Sequence, residues 1–305
     1  MKHPQYLIKS NLSEKQIELD VSRYFGWITP VDMNSFILLE SNESLTGADV
    51  EFDSGILLYL QFKVSEGLKS TSVIKPSQRR NRSKMEEIRI FRNINLLNDD
   101  PTLFFKIRKK ALHAEDLQHN ILLSFEKPPI SRAFYVAPLC LDKNQYQNIL
   151  FNSHLRHLTH PFSHSINLRI YQNRWKSYLG SIPILRNHIS IPPHERVKDD
   201  NHYYAYSENG DDISWHSEEI ISREPRRFTD TIIEIIEDIN KGILQFVSLD
   251  QLNSFLLENN PQTRLDTNEI LKSEENNSLS QIQAHGRMLY KKHQIKQFLL
   301  LKRKQ

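Results

Sequence analysis

Residues 47–63, GADVEFDSGILLYLQFK, decide the fold. The first half alternates polar and apolar residues with period two, the pattern of a half-buried strand. The second half, Ile56–Val64, is a nearly unbroken apolar run that turns polar only at its end. Ser54-Gly55 between them reads as a short turn, so 47–53 and 56–64 form a hairpin. Side chains on a strand alternate faces, which puts Asp49, Glu51 and Asp53 on one side and Gln61 and Lys63 on one side. A hairpin closed at 54–55 brings Asp49 beside Gln61 and Lys63, 12 and 14 positions later.

Working upstream, residues 13–25, SEKQIELDVSRYF, predict a helix. Ser13 or Ser10 caps it, Ile17, Val21, Tyr24 and Phe25 form its apolar face, and Gly26 ends it. Glu14 and Glu18 lie on one side of that helix at i, i+4, so either can reach the polar end of the hairpin. Ser35–Glu40 is a further strand.

Downstream, residues 65–84 are Ser-rich and basic, end in QRRNRSK at 78–84, and read as an exposed loop. A helix over about 85–97 follows, then Phe104–Arg108 as a strand or a helix edge. Asp116–Phe125 is a helix stopped by Pro128-Pro129. Ala133–Leu139 is a buried strand and Asp142–Phe151 a helix. Residues 152–225 are irregular. Helices are expected at Thr229–Asn240 and Leu249–Glu258. A polar connection spans 259–277, and a long C-terminal helix runs from about Ser278 to Lys304. The expected division is a core at 1–150 and an irregular-to-helical accessory region at 151–305.

The residue types at the end of the hairpin suit metal-assisted phosphodiester hydrolysis. A carboxylate holds Mg²⁺ or Mn²⁺ through oxygen, and a nearby lysine orients or deprotonates the attacking water. The order Glu14/Glu18, then Gly47-Ala48-Asp49, then Gln61-Phe62-Lys63 resembles the PD-(D/E)xK superfamily of restriction-endonuclease-like nucleases, in its Mrr-like Gln-x-Lys variant. The resemblance covers residues 12–140. It implies an α/β fold with a central mixed sheet flanked by helices and Mg²⁺-dependent cleavage of nucleic acid. The C-terminal part is read from its own pattern as mostly helical, and a DNA endonuclease with such an appendage looks like a component of restriction or anti-phage defence. The resemblance implies Asp49 as the metal carboxylate, Lys63 as the catalytic lysine, Gln61 in place of the usual acid, and Glu18 or Glu14 as the helix acid. Gln118 and His119 fall on the helix from which such nucleases reach phosphate. The alternative is a non-catalytic nucleic-acid-binding or assembly subunit that keeps the nuclease fold. A partner protein of a multi-component system and self-association both stay open.

Charge and composition agree with this. Lys75, Arg79, Arg80, Arg82, Lys84, Arg89 and Arg92 form one basic group and Lys106, Arg108, Lys109 and Lys110 a second, suited to phosphate contact. Only 8 glycines occur, with no GxGxxG or GxxxxGK[ST], which argues against nucleotide-cradling loops. The lone Cys140 excludes a disulfide framework. His154, His157, His160 and His164 lack the accompanying acid or cysteine of a zinc site, and a docking loop is the blander account. Trp215 is expected to anchor a loop. No apolar run is long enough to span a membrane, and the first 16 residues lack a signal-peptide core. A cytoplasmic protein without membrane contact is expected.

Overall fold

The structure, a computed structural model, describes residues 4–27, 36–40, 52–78, 81–97, 100–112, 114–158, 182–216, 218–224, 226–259 and 278–303. Strands β1 (Leu7–Ile8), β4 (Glu66–Leu68), β5 (Thr102–Lys106), β8 (Tyr203–Ser207), β9 (Ile213–Trp215) and β10 (Glu219–Ser222) form an antiparallel sheet in that order. A second, mixed sheet runs β2 (Phe36–Glu40), β12 (Lys296–Arg303), β3 (Phe52–Phe62), β6 (Ser131–Pro138), β7 (His188–Ile191), and β11 (Val247–Ser248) pairs with the start of β3. Only β3–β6 is parallel among these pairs. The helices are α1 (Glu14–Trp27), α2 (Lys84–Ile94), α3 (Gln118–Ser124), α4 (Lys143–Leu158), α5 (Pro183–Arg186), α6 (Phe228–Asn240), α7 (Leu249–Asn259) and α8 (Ser278–His293). The fold is therefore α/β, with a mixed and an antiparallel sheet flanked by helices.

Strand β3 organises the interior. Its even positions Ile56, Leu58, Leu60 and Phe62 pack against Ile17 and Val21 of α1 and Phe228 and Ile232 of α6. Its odd positions Leu57 and Tyr59 meet the antiparallel sheet through Phe105, Tyr204 and Trp215, and the helices α3, α7 and α8. A strand covered on both faces reads as a continuous apolar run, which explains Ile56–Phe62. Outside the antiparallel sheet, Met85 and Ile88 of α2 cover Phe104 and Tyr203.

Several expectations need correction. Ser54-Gly55 is no turn: β3 runs straight through it, with Ser54 opposite Lys302 and Gly55 opposite Leu301 of β12. Gly55 serves close packing, since a Cβ there would lie 3.1 Å from Leu252 and 3.3 Å from the Leu300 carbonyl. Helix α1 continues through Gly26 to Trp27. The loop expected at 65–84 contains β4, whose Gly67 and Leu68 are buried.

The expected C-terminal helix is half strand. Helix α8 stops at His293, where Gln294 takes a left-handed φ of 54°, and β12 follows. Phe298 and Leu300 face one side of the sheet and Leu299 and Leu301 the other. Four consecutive apolar residues suit a strand with two buried faces. Among the described residues the C-terminal half mixes helices with strands, since β7 to β12 all lie in it. The expected division at residue 150 is crossed by both sheets, through β12 between β2 and β3 and through β8 on β5. Among the described residues no helix is long and apolar enough to cross a membrane.

Candidate functional site

Where β3 leaves the mixed sheet, the last ladder bond runs from the Lys63 N–H to the Val136 carbonyl, 2.9 Å. Gln61 and Lys63 share the face of Leu57 and Tyr59, as alternation requires. The Lys63 side chain is 6% exposed. Its ammonium donates to Gln118 Oε1 at 3.2 Å, at the start of α3, and lies 6.0 Å from the Tyr135 ring centre. Burial disfavours the charged amine and lowers its pKa to about 8; Glu14 opposes the shift and Arg108 adds to it. Gln118 in turn donates through Nε2 to the carbonyl of His293 at the end of α8. An amide held that way presents its oxygen to Lys63.

Helix α1 enters beside this lysine. Glu14, in its first turn, lines a cavity of about 720 Å³ together with Glu18, Lys63, Glu66, Arg108 and Tyr290. Burial raises the Glu14 pKa, while Lys63 and Arg108 pull it down. Among the described residues no hydrogen bond or ion pair engages the Glu14 carboxylate. Glu18, one turn on, is differently placed. It accepts from Lys15 at 2.8 Å and from the Tyr290 hydroxyl at 2.8 and 3.1 Å, and pairs with Lys296 at 3.4 Å. The structure therefore separates two acids that spacing left equivalent: Glu14 faces Lys63 uncommitted, and Glu18 is tied to α8 and β12.

The remaining expected residues are distributed as follows. Gln61 is fully buried; its Nε2 donates to the Phe62 carbonyl at 3.1 Å, and its Oε1 has no partner among the described residues. His119 does not face the cavity. Its Nδ1 meets the Tyr135 hydroxyl at 2.9 Å, its Nε2 the Glu195 carbonyl at 2.7 Å, and its ring stacks on Tyr135 and Trp215. Burial lowers its pKa to about 4, as suits a neutral core imidazole. A phosphate contact by His119 finds no support in this placement.

Arg82 is exposed and Lys84 pairs with Glu87 at 3.3 Å. Asp49, Arg79 and Arg80 lie outside the described residues, as do His160, His164 and the side chain of His157. His154 meets the Tyr24 hydroxyl at 3.0 Å. Trp215 is fully buried in the main core and donates to Glu195.

The basic group 75–92 divides in two. Arg89 binds the carbonyls of Lys69 and Ser70 at 2.6 and 2.9 Å, and Arg92 binds Asp212 and Ser214 at 2.5 and 2.9 Å. These two hold α2 in place. From the second group, Lys106 and Arg108 line the cavity. Tyr290, Gln294 and Lys296 were missed because 278–304 read as one helix. The signal present was the run Phe298–Leu301, flanked by lysines and compatible with a central strand.

The Glu14 carboxylate is an oxygen donor in the cavity that suits a hard cation; Gln61 Oε1, though without a partner among the described residues, is fully buried and does not line that cavity. No cluster of three or more His, Cys, Asp or Glu placed to hold a metal occurs among the described residues. Mg²⁺ keeps several waters and needs only one or two carboxylates beside substrate phosphates. Glu14 fits such a sparsely held ion, and not a dedicated cage.

Comparison of the chain with protein-family models, curated proteins and solved structures found no match.

Proposed function

We propose that the chain is a Mg²⁺-dependent DNA endonuclease built on a restriction-endonuclease-like core. The observation that carries this is Lys63: a buried ammonium bonded to Gln118 at 3.2 Å and facing the uncommitted Glu14 carboxylate in one cavity. A lysine whose pKa is brought to about 8 holds a useful neutral fraction near pH 7 and can take a proton from the attacking water. Gln118 orients the amine. Exposed Arg108 at the cavity meets the phosphate non-bridging oxygens. Glu14 would hold Mg²⁺, which when bound neutralises phosphoryl charge and acidifies water. Asp49, which the resemblance names, is not part of this site: Phe52–Phe62 is one continuous strand, about 33 Å from end to end, and the three steps from Asp49 to Phe52 are too few to return that distance.

A second reading has its own observation. With a neutral Gln61 at the usual acidic position and Glu18 engaged by Lys15, Tyr290 and Lys296, the chain is a nucleic-acid-binding subunit without turnover.

Nicking of supercoiled plasmid in Mg²⁺ or Mn²⁺ separates them. The parent is expected to nick, at a rate rising with pH and levelling near pH 8. Lys63→Met and Glu14→Gln each lose about 100-fold or more, the scale of a lost general base. Equal nicking by all three proteins would mark a contaminant. Plasmid retention with no cleavage in either metal would establish the second reading.

A further inference from the structure

We propose that the junction between α8 and β12 is a positioning element of the site, in which Tyr290 and Lys296 act through Glu18 and α1 to set Glu14 against Lys63. The proposal rests on the nuclease reading.

Residues 290–296 touch the site along two routes. On the first, the Tyr290 hydroxyl donates to both Glu18 oxygens at 2.8 and 3.1 Å, and the Lys296 ammonium lies 3.4 Å from Oε1. The Lys296 and Glu18 side chains are 6% and 7% exposed. On the second, the His293 carbonyl accepts from Gln118 and so turns the amide oxygen to Lys63, while Gln294 Oε1 accepts from Arg108. Between these contacts Gln294 sits at φ 54°, a conformation that L side chains rarely hold. Unusual backbone of this kind persists where the surroundings over-determine it, and functional sites are where it gathers.

The chemistry of the Glu18–Lys296 pair points the same way. A buried ion pair adds little stability over apolar residues of equal volume, because desolvation offsets attraction. It does fix geometry. Lys15, Tyr290 and Lys296 bring donors from α1, α8 and β12 to one carboxylate. Glu18 follows Glu14 by one turn on the same side of α1. Holding Glu18 therefore sets the rotation of α1 and the place of Glu14. Neither Tyr290 nor Lys296 needs to touch substrate for this role.

The test uses the full chain with Tyr290→Phe, Lys296→Met, Lys296→Arg and the Phe/Met double variant. Two readouts are the Mg²⁺ concentration for half-maximal plasmid nicking and binding of Mn²⁺ alone, without DNA, by electron paramagnetic resonance. Tyr290→Phe and Lys296→Met should each weaken both about ten-fold, the scale seen for groups that orient metal ligands. Lys296→Arg should recover most of the loss. The double variant should be little worse than the weaker single one, because both act on one carboxylate. Tyr290→Phe removes only a hydroxyl, so it keeps the proposal testable if Lys296→Met fails to fold. Parent-like metal dependence in Tyr290→Phe overturns the proposal while the nuclease reading stands. So does equal impairment in Lys296→Arg and Lys296→Met that tracks melting temperature. A parent that neither nicks nor takes up Mn²⁺ removes the nuclease reading, and the proposal with it.

Discussion

Lys63 carries a cost in the folded state that an apolar residue would not. Its pKa falls from an ordinary 10.5 to about 8, chiefly through burial. Below pH 8 the amine is charged in both the folded and unfolded chain, and its burial opposes folding by roughly 3 kcal/mol. Between pH 8 and 10.5 the unfolded chain still holds a proton that the folded chain has released, so stability rises with pH across that window. Lys63→Met should therefore be more stable than the parent at pH 7 by about 2–3 kcal/mol, with the gain shrinking towards pH 10. Urea midpoints at the two pH values check this, and an equal gain at both would contradict it. A substitution that stabilises the fold while abolishing nicking is the expected signature of a group kept for chemistry.

That Gln61 and Lys63 share a face was legible from alternation alone, because a strand's period is fixed by its backbone. That Glu14, and not Glu18, is uncommitted was not legible. Both sit on one side of α1, and the difference lies in Tyr290 and Lys296, more than 270 residues away in the chain.

At the scale of elements, β3 shows how a turn signal can mislead. Ser54-Gly55 has the composition of a turn, yet both residues pair with β12. The glycine is there because α7 and β12 approach too closely for a side chain. Gly55→Val should cost about 1–3 kcal/mol through overpacking against Leu252 and Leu301. Urea denaturation measures it, and an unchanged midpoint would mean that α7 yields freely. The same strand makes the hairpin at 54–55 unavailable as the device that brings Asp49 to Lys63. Elements α1, α2, α3, α6, α7, β2 and β6 fell within a few residues of their expected bounds, whereas β7 to β10 lie in residues 152–225, which read as irregular. Each of the former has one dominant apolar face or a single short apolar run, and local periodicity is sufficient for that.

Across the whole molecule, the described strands do not divide at residue 150. Strand β12, from the last residues of the chain, lies between β2 and β3 and completes the mixed sheet. A fragment of residues 1–150 would leave β3 without that neighbour and expose Leu57, Tyr59 and Leu103, which now lie in one core with Leu299 and Ile282. We expect this fragment to aggregate and to show no cooperative thermal transition. Circular dichroism melting with size-exclusion chromatography reads this out. A monomeric fragment with a sigmoidal melt would establish an independent N-terminal domain.

By itself the sequence determined what depends on neighbours in the chain: the apolar faces of α1 and α2, the α/β class, and the pairing of Gln61 with Lys63 on one strand face. Only the tertiary structure decided where β12 goes. The run Phe298–Leu301 is compatible with a buried helix and with a central strand, and the slot between β2 and β3 selects the strand. It also decided that His119 is core, that Arg89 and Arg92 are internal staples, that Tyr290 and Lys296 hold Glu18, and that the His293 carbonyl holds Gln118 beside Lys63. The physical reason is common to all of these. Burial and hydrogen-bond partners are set by residues distant in the chain, and local propensity holds no information about them.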